Sequence, residues 1–173
     1  MTRRIYSLAL VWWIIGVLSG CDNTPDALLV RNFTQNEAVF ADLREMFTKD
    51  VQLTIVRRDL IRAGTVTLNS PPRDLQKVGL SEERYGTYIK LLNFLGLRTG
   101  IGRDEKGIWF EVDRPSYLNG DTTKGYIYSV SDLNPLTPDL DAYVPAATST
   151  SRQPRFLVFK NLKGHWFLYR NSS

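Results

Sequence analysis

The sequence contains few of the residues that most often carry metal and disulfide chemistry. It has one cysteine and one histidine among 173 residues. A single cysteine excludes an intramolecular disulfide framework and a zinc site with several thiolates, and a single histidine excludes metal sites that need two imidazoles. We therefore expect no cofactor and no metal.

The chain also lacks a long apolar run and a strong excess of charge. Its longest predominantly apolar stretch runs from Ile5 to Leu18, and a membrane-spanning helix needs about 20 such residues. The formal net charge is +4, with 43% hydrophobic and 23% charged residues. These values are typical of one globular domain and not of a disordered chain.

The N-terminus combines a positive start with a short apolar run. Arg3 and Arg4 precede the run, which ends in Leu18-Ser19-Gly20-Cys21, as in a secretory signal. The final four residues resemble the lipobox of bacterial lipoproteins. The resemblance implies that Cys21 is alkylated with diacylglycerol and that residues 1–20 are removed as a signal peptide. Two acyl chains on Cys21 would hold the protein durably at a membrane.

The residues after Cys21 indicate where the protein lies. Asp22 resembles the signal that retains lipoproteins in the inner membrane, so we expect an inner-membrane lipoprotein that faces the periplasm. Loss of residues 1–20 removes Arg3 and Arg4, and the formal charge falls from +4 to +2. This small charge disfavours a nucleic-acid partner. We expect a lipidated cysteine and tether over 21–32, followed by a single domain over 33–173.

Two segments have clear helical features. Thr34 and Glu37 match a capping box that starts a first helix. Ser81 is placed as the N-cap of a second helix, which reaches Leu95 and ends at Gly96. Val51–Ile61 fits a strand or a short helix, and we favour the helix.

Strand patterns dominate the second half of the chain. The sequence predicts a hairpin from 97–103 and 108–112, a strand over 124–130 and a last hairpin from 155–160 and 165–170. A short strand is also predicted at 66–68. Residues 131–154, which contain four prolines, could carry a binding site, but we favour a mobile excursion between two strands.

This order of elements predicts an α+β fold. Two or three N-terminal helices would pack on one face of an antiparallel sheet of four to six strands. Four glycine-containing segments in this region resemble a pattern found in uncharacterised bacterial proteins, a resemblance that implies no activity. They are Leu95-Gly96-Leu97, Gly100-Ile101-Gly102-Arg103, Gly107-Ile108-Trp109-Phe110 and Thr123-Lys124-Gly125-Tyr126.

Groups with catalytic potential are few. His165 is the only candidate base for a nucleophilic triad, but it follows a predicted turn and no nucleophile elbow accompanies it. Asp104, Glu105, Glu111 and Asp113 cluster around one hairpin and could act as paired carboxylates. Turn formation explains Asp104 and Glu105 more simply.

Three further groups are candidates for binding. Asp132, Asn134, Asp139 and Asp141 lack the spacing of a calcium loop and are interpreted as turn residues. Arg57, Arg58 and Arg62 form a basic cluster that could contact anionic lipid, or simply a solvated surface. An exposed aromatic row could bind a sugar or a partner, although packing within the sheet is the default. Its members are Trp109, Tyr117, Tyr126 and Tyr128.

The sequence supports two hypotheses of function. The first is a non-enzymatic binding or accessory module, anchored in the membrane, with an envelope protein or a glycan as partner. The second is a small envelope hydrolase that uses the hairpin carboxylates or His165 on a glycan or lipid-linked substrate. We favour the first because no catalytic constellation is recognisable in the sequence.

Overall fold

The computed structural model describes residues 24–112, 122–145 and 156–172. In these ranges no helix is long and apolar enough to cross a bilayer. The elements are α1 (Asp26–Lys49), β1 (Leu53–Arg57), β2 (Leu60–Ala63), β3 (Val66–Asn69), a 3₁₀ turn (Leu75–Val78), α2 (Glu82–Phe94), β4 (Gly100–Asp104), β5 (Gly107–Glu111), β6 (Thr122–Tyr128), β7 (Phe156–Lys163) and β8 (Trp166–Ser172).

The strands form one sheet in the order β3-β2-β1-β4-β5-β6-β8-β7, and each neighbouring pair is antiparallel. The predicted architecture is wrong in its strand number, because the sheet has eight strands and not four to six. It is also wrong in its order, because β1, β2 and β3 separate the two α-helices of the described chain. Both errors arise mainly from one segment.

That segment is Val51–Ile61, for which the helical prediction is wrong: it forms β1 and the first half of β2. A register shift between Leu53 and Ile55 interrupts the pairing of β1 with β2. Leu53 and Val56 are both completely buried. The irregularity places two core residues three positions apart, a spacing that a regular strand would not give and that imitates a helix.

The first helix begins earlier than the capping box predicts. It starts at Asp26 after Pro25, and it includes residues 26–32, which the sequence assigned to a tether. The Thr34 hydroxyl donates to the carbonyl of Val30 inside the helix, and Glu37 accepts from Lys163 of β7. Both residues lie inside α1, where no helix start is available for them to cap. A local departure from helical geometry at Asn36, with φ −126° and ψ 21°, marks a bend.

Other elements confirm their predictions. The Ser81 side chain accepts from the Arg84 amide at the start of α2. Gly96, with a φ of +69°, ends the following turn. The two predicted hairpins are β4–β5 and β7–β8, and the predicted short strand at 66–68 is part of β3.

Apolar side chains fill both sides of the sheet, but unequally. The larger core lies between the two helices and one face, which we call the inner face, with Phe40, Tyr88, Phe110 and Leu168 among its residues. A smaller cluster on the opposite, outer face contains Ile127, Leu133, Phe159 and Tyr169, with Trp109 packed against it. Leu133 belongs to the 131–154 segment.

That segment packs on the protein wherever it is described. The Thr137 amide donates to the Phe159 carbonyl at 2.8 Å, and the Phe159 amide donates to the Pro135 carbonyl at 3.0 Å. Leu140 is fully buried in the larger core. Residues 131–145 are therefore attached to the β7 edge of the sheet, while 146–154 lie outside the described residues.

Candidate functional site

The predicted aromatic row is divided between the two faces of the sheet. Tyr126 is completely buried in the inner core, where its hydroxyl donates to the Leu29 carbonyl. Tyr128 also faces inward, and the Arg44 guanidinium lies 4.4 Å from its ring centre. Trp109 is paired with Ile127 and faces outward. Tyr117 lies outside the described residues, and the other three predicted positions do not form one patch.

The outer face instead carries a groove around Trp109. Two adjoining depressions of about 160 and 250 Å³ share Trp109 and Glu111 as walls. We call this surface the outer-face groove and define it by Ile55, Arg57, Gly102, Trp109, Glu111, Leu157, Tyr169 and Asn171. These residues come from β1, β4, β5, β7 and β8. The groove therefore depends on the register of the whole sheet.

Two glycines shape the floor of this groove. Gly102 is the cross-strand partner of Trp109, so no side chain covers the indole from that side. A Cβ atom at Gly125 would lie 2.9 Å from the Tyr169 ring and 2.2 Å from the Phe110 carbonyl oxygen. Glycine at 125 thus allows Tyr169 to approach the strand and meet Trp109 edge-to-face, with ring centres 4.7 Å apart.

Polar groups line the same groove. Arg57 Nη2 lies 2.7 Å from Glu111 Oε2, and each side chain is about a quarter exposed, at 27% and 26%. A guanidinium has five N–H donors, so Arg57 keeps further donors for a ligand. The Trp109 indole nitrogen is enclosed and has no hydrogen-bond partner among the described residues. The groove therefore combines an aromatic wall with donors and an acceptor.

Two of the hairpin carboxylates, Asp104 and Glu111, line the same depression, but each already has a partner within the protein. Asp104 accepts from the amides of Lys106 and Gly107, the turn role that favours Asp at this position. Glu111 is engaged by Arg57. Glu105 is exposed in the turn, and Asp113 lies outside the described residues.

His165 lies at the β7–β8 turn, exposed and 5.8 Å from the ring of Tyr128. Its backbone carbonyl accepts from the Ser129 amide, which closes the turn region onto β6. These contacts agree with the structural interpretation of His165.

The basic cluster is divided. Arg57 points into the outer-face groove, while Arg58 lies in the β1–β2 turn and donates to the Asn93 side chain near the end of α2. Arg62 is exposed on β2 and pairs with Ile55, so it lies on the same outer face as Arg57. Two of the three arginines therefore share a face of the sheet, and Arg58 does not join them. Cys21, the proposed lipid attachment point, lies outside the described residues.

Part of the predicted acidic group takes part in an ion-pair cluster that the sequence did not reveal. Lys124 has a completely buried side chain on the inner face, and it contacts Asp26 at 3.0 Å and also Asp141. Lys160 reaches the other oxygen of Asp26 at 3.3 Å. The Leu140 amide donates to that same oxygen at 2.8 Å. We call these residues the Lys124 cluster: Asp26, Lys124, Leu140, Asp141 and Lys160.

The Lys124 cluster joins the start of α1, the sheet and the 131–145 segment. The carboxylates of Asp26, Asp139 and Asp141 are close enough together to suggest a cation site. However, Lys124 and Lys160 already neutralise Asp26 and Asp141, and Asp139 accepts from the amides of Asp141 and Ala142. Partial burial is the largest single influence and would raise the pKa of Asp141. The hydrogen bonds from Lys124 and the Asp26 amide, together with the charges of Lys124 and Arg170, outweigh it, and the pKa lies below its usual value.

A second polar cluster lies at the other end of α1. Asp50 follows the helix and accepts from the Tyr88 hydroxyl at 2.6 Å and from Arg84 Nε at 3.0 Å. Burial, followed by the hydrogen bond and charge of Asp50, raises the pKa of Tyr88 well above its usual range. Both partners belong to α2, so this cluster fastens the two helices together.

Comparisons with models of protein families, with curated proteins and with solved structures find no match for this chain.

Proposed function

We propose that the protein is a bacterial lipoprotein of the inner membrane, facing the periplasm, and that its domain is a non-enzymatic module that binds envelope glycans. The lipobox supports the anchor. The observation that carries the binding role is the outer-face groove around Trp109. A half-buried indole offers an apolar surface to the C–H face of a sugar ring, and nearby polar groups can bind its hydroxyls.

The position of each polar group supports this ligand chemistry. Arg57 and Glu111 lie on one side of Trp109, and Asn171 lies on the other side with Tyr169. Together they provide both donors and acceptors around one aromatic side chain. A purely apolar ligand would remove water from these groups without replacing its hydrogen bonds, which disfavours its binding.

The test is a titration of the lipidated protein in detergent micelles. Oligomers of N-acetylglucosamine and of glucose would be added while heat and tryptophan fluorescence are recorded. Truncating a central aromatic anchor typically costs about 2 kcal/mol or more, which is about 30-fold in Kd. We therefore expect Trp109→Ala to weaken binding at least about 30-fold. Val51→Ala, an exposed position outside the groove, is the control.

Two results would contradict the proposal. The first is that neither oligomer series binds. The second is that Trp109→Ala binds as well as the parent protein, while circular dichroism shows that both are folded. Mass spectrometry of the same mixtures would also detect cleavage. Shortened oligomers would favour the hydrolase hypothesis over a binding module.

A further inference from the structure

The described chain begins at one end of the sheet, beside the end of α2. Thr24 lines a depression of about 330 Å³. Leu28 of α1, Phe94 of α2 and Arg98, which follows α2, line the same depression. Two helix ends and the first described residue therefore form one continuous surface, which we call the anchor-end surface.

Two large apolar side chains are exposed on this surface. Leu28 is 55% exposed and Phe94 is 63% exposed, whereas their neighbours Leu29 and Leu95 are 2% and 1% exposed. In both pairs the first side chain faces outward and the second fills the core. Two such residues lining one depression form a patch rather than scattered surface positions.

Basic side chains lie on this surface and next to it. Arg98 is exposed and lines the depression, and Arg31 lies three residues after Leu28, on the same side of α1. Arg58 donates to the side chain of Asn93, the neighbour of Phe94. The carboxylate of Asp26 is buried and already paired with Lys124 and Lys160. This arrangement complements an anionic partner with an apolar interior.

We propose that the anchor-end surface lies against the membrane, with Leu28 and Phe94 in the headgroup–acyl boundary and the arginines on anionic headgroups. The inference rests on the lipid anchor proposed above. Cys21 is three residues before Thr24, so the intervening chain spans at most about 11 Å. A lipidated Cys21 therefore holds Thr24 close to the bilayer.

The Lys124 cluster makes this orientation definite. Lys124 Nζ donates to the Thr24 carbonyl at 3.3 Å and contacts Asp26 at 3.0 Å, so the chain is attached to the sheet within a few residues of the anchor. Little free tether remains about which the domain could turn.

The test uses the lipidated protein and measures how deeply a single added tryptophan lies in the bilayer. Phe94→Trp places a probe on the anchor-end surface. Val51→Trp places one at an exposed position beyond the other end of α1. Each protein would be reconstituted in vesicles of phosphatidylethanolamine and phosphatidylglycerol, with and without brominated acyl chains, which quench only nearby indoles. The parent protein, with its native tryptophans, gives the baseline.

We expect brominated lipid to reduce the added emission of Phe94→Trp and to leave that of Val51→Trp unchanged. Intact mass would be recorded first, because an unmodified Cys21 refutes the anchor and, with it, this inference. If Cys21 is lipidated and the two probes are quenched equally or not at all, the anchor stands and the proposed orientation is wrong. If the indole of the Phe94→Trp variant is shielded while the protein is dimeric in the vesicles, a second copy covers the surface and the inference is also wrong.

Discussion

Removal of the Lys124 ammonium gives the sharpest prediction about stability. Lys124→Met keeps most of the side-chain volume but deletes the charge from a site with no solvent exposure. Breaking a buried ion pair by removing one partner costs about 3–5 kcal/mol. Asp26 would retain Lys160 at 3.3 Å and the Leu140 amide at 2.8 Å. We therefore expect a loss near the lower limit, about 3 kcal/mol.

The same substitution at an exposed lysine is the matched control. Lys163 contacts Glu37 at 2.8 Å, but their side chains are 67% and 43% exposed. Exposed pairs contribute about 0–1 kcal/mol, so Lys163→Met should leave stability nearly unchanged. Urea unfolding followed by circular dichroism measures both variants. For a domain of this size a loss of about 3 kcal/mol lowers Tm by about 6–12 °C.

Hydrogen exchange would locate the effect. Because Lys124 fastens the first turn of α1, amides of residues 26–33 should exchange faster in Lys124→Met, while those of α2 should change little. The reasoning is refuted if Lys124→Met and Lys163→Met are equally stable. It is also refuted if Asp26→Leu and Lys124→Met are additive in the double variant, because residues in direct contact should show coupling.

Two further predictions follow from the contacts described. Gly125→Ala should destabilise the fold by more than about 3 kcal/mol, since its Cβ would lie 2.2 Å from the Phe110 carbonyl oxygen. Gly86→Ala, in α2 with nothing within 4 Å of the added Cβ, should stabilise the fold by about 0.5–1 kcal/mol. Thermal melts that rank the two variants in the opposite order would contradict the packing described. The lowered pKa of Asp141 stabilises the fold above the ordinary value of about 3.9, and this stabilisation is lost as pH falls through the folded value. The parent should therefore lose more stability than Asp141→Asn between about pH 5 and pH 2 in urea titrations, and parallel losses would argue against the contact with Lys124.

Local sequence patterns correctly predicted those helices and strands whose structure depends only on neighbouring residues in the chain. The predicted strand over 108–112 is confirmed as β5, because its side chains alternate regularly, with Ile108 and Phe110 on the inner face and Trp109 on the outer face. Ser81 identified the start of α2, because its cap requires only the next three residues.

The sequence failed where distant contacts decide the structure. The irregularity in β1 has no sequence signature as clear as a turn motif, and it made strand residues appear helical. Thr34 and Glu37 match a capping box, but their partners are Val30 and Lys163. Whether that motif starts a helix therefore depends on a residue more than a hundred positions away.

The candidate site needed the register between strands. Trp109 and Tyr126 were grouped because both are aromatic strand residues, but pairing of Trp109 with Ile127 places them on opposite faces. The outer-face groove had one signal in the sequence, the glycine at 125 directly before Tyr126 in a strand. The buried position of Lys124 also had a signal in the sequence: Lys124 alternates with Tyr126 and Tyr128, so all three side chains lie on the same, buried side of one strand.

The central claim is that this domain is held at a membrane by Cys21, and one mass measurement tests it most directly. The protein would be purified from membranes of the expressing bacterium, digested, and its N-terminal peptide analysed. We predict a peptide that begins at Cys21 and carries a diacylglyceryl group. A peptide that contains residues before Cys21, or an unmodified Cys21, would contradict the account.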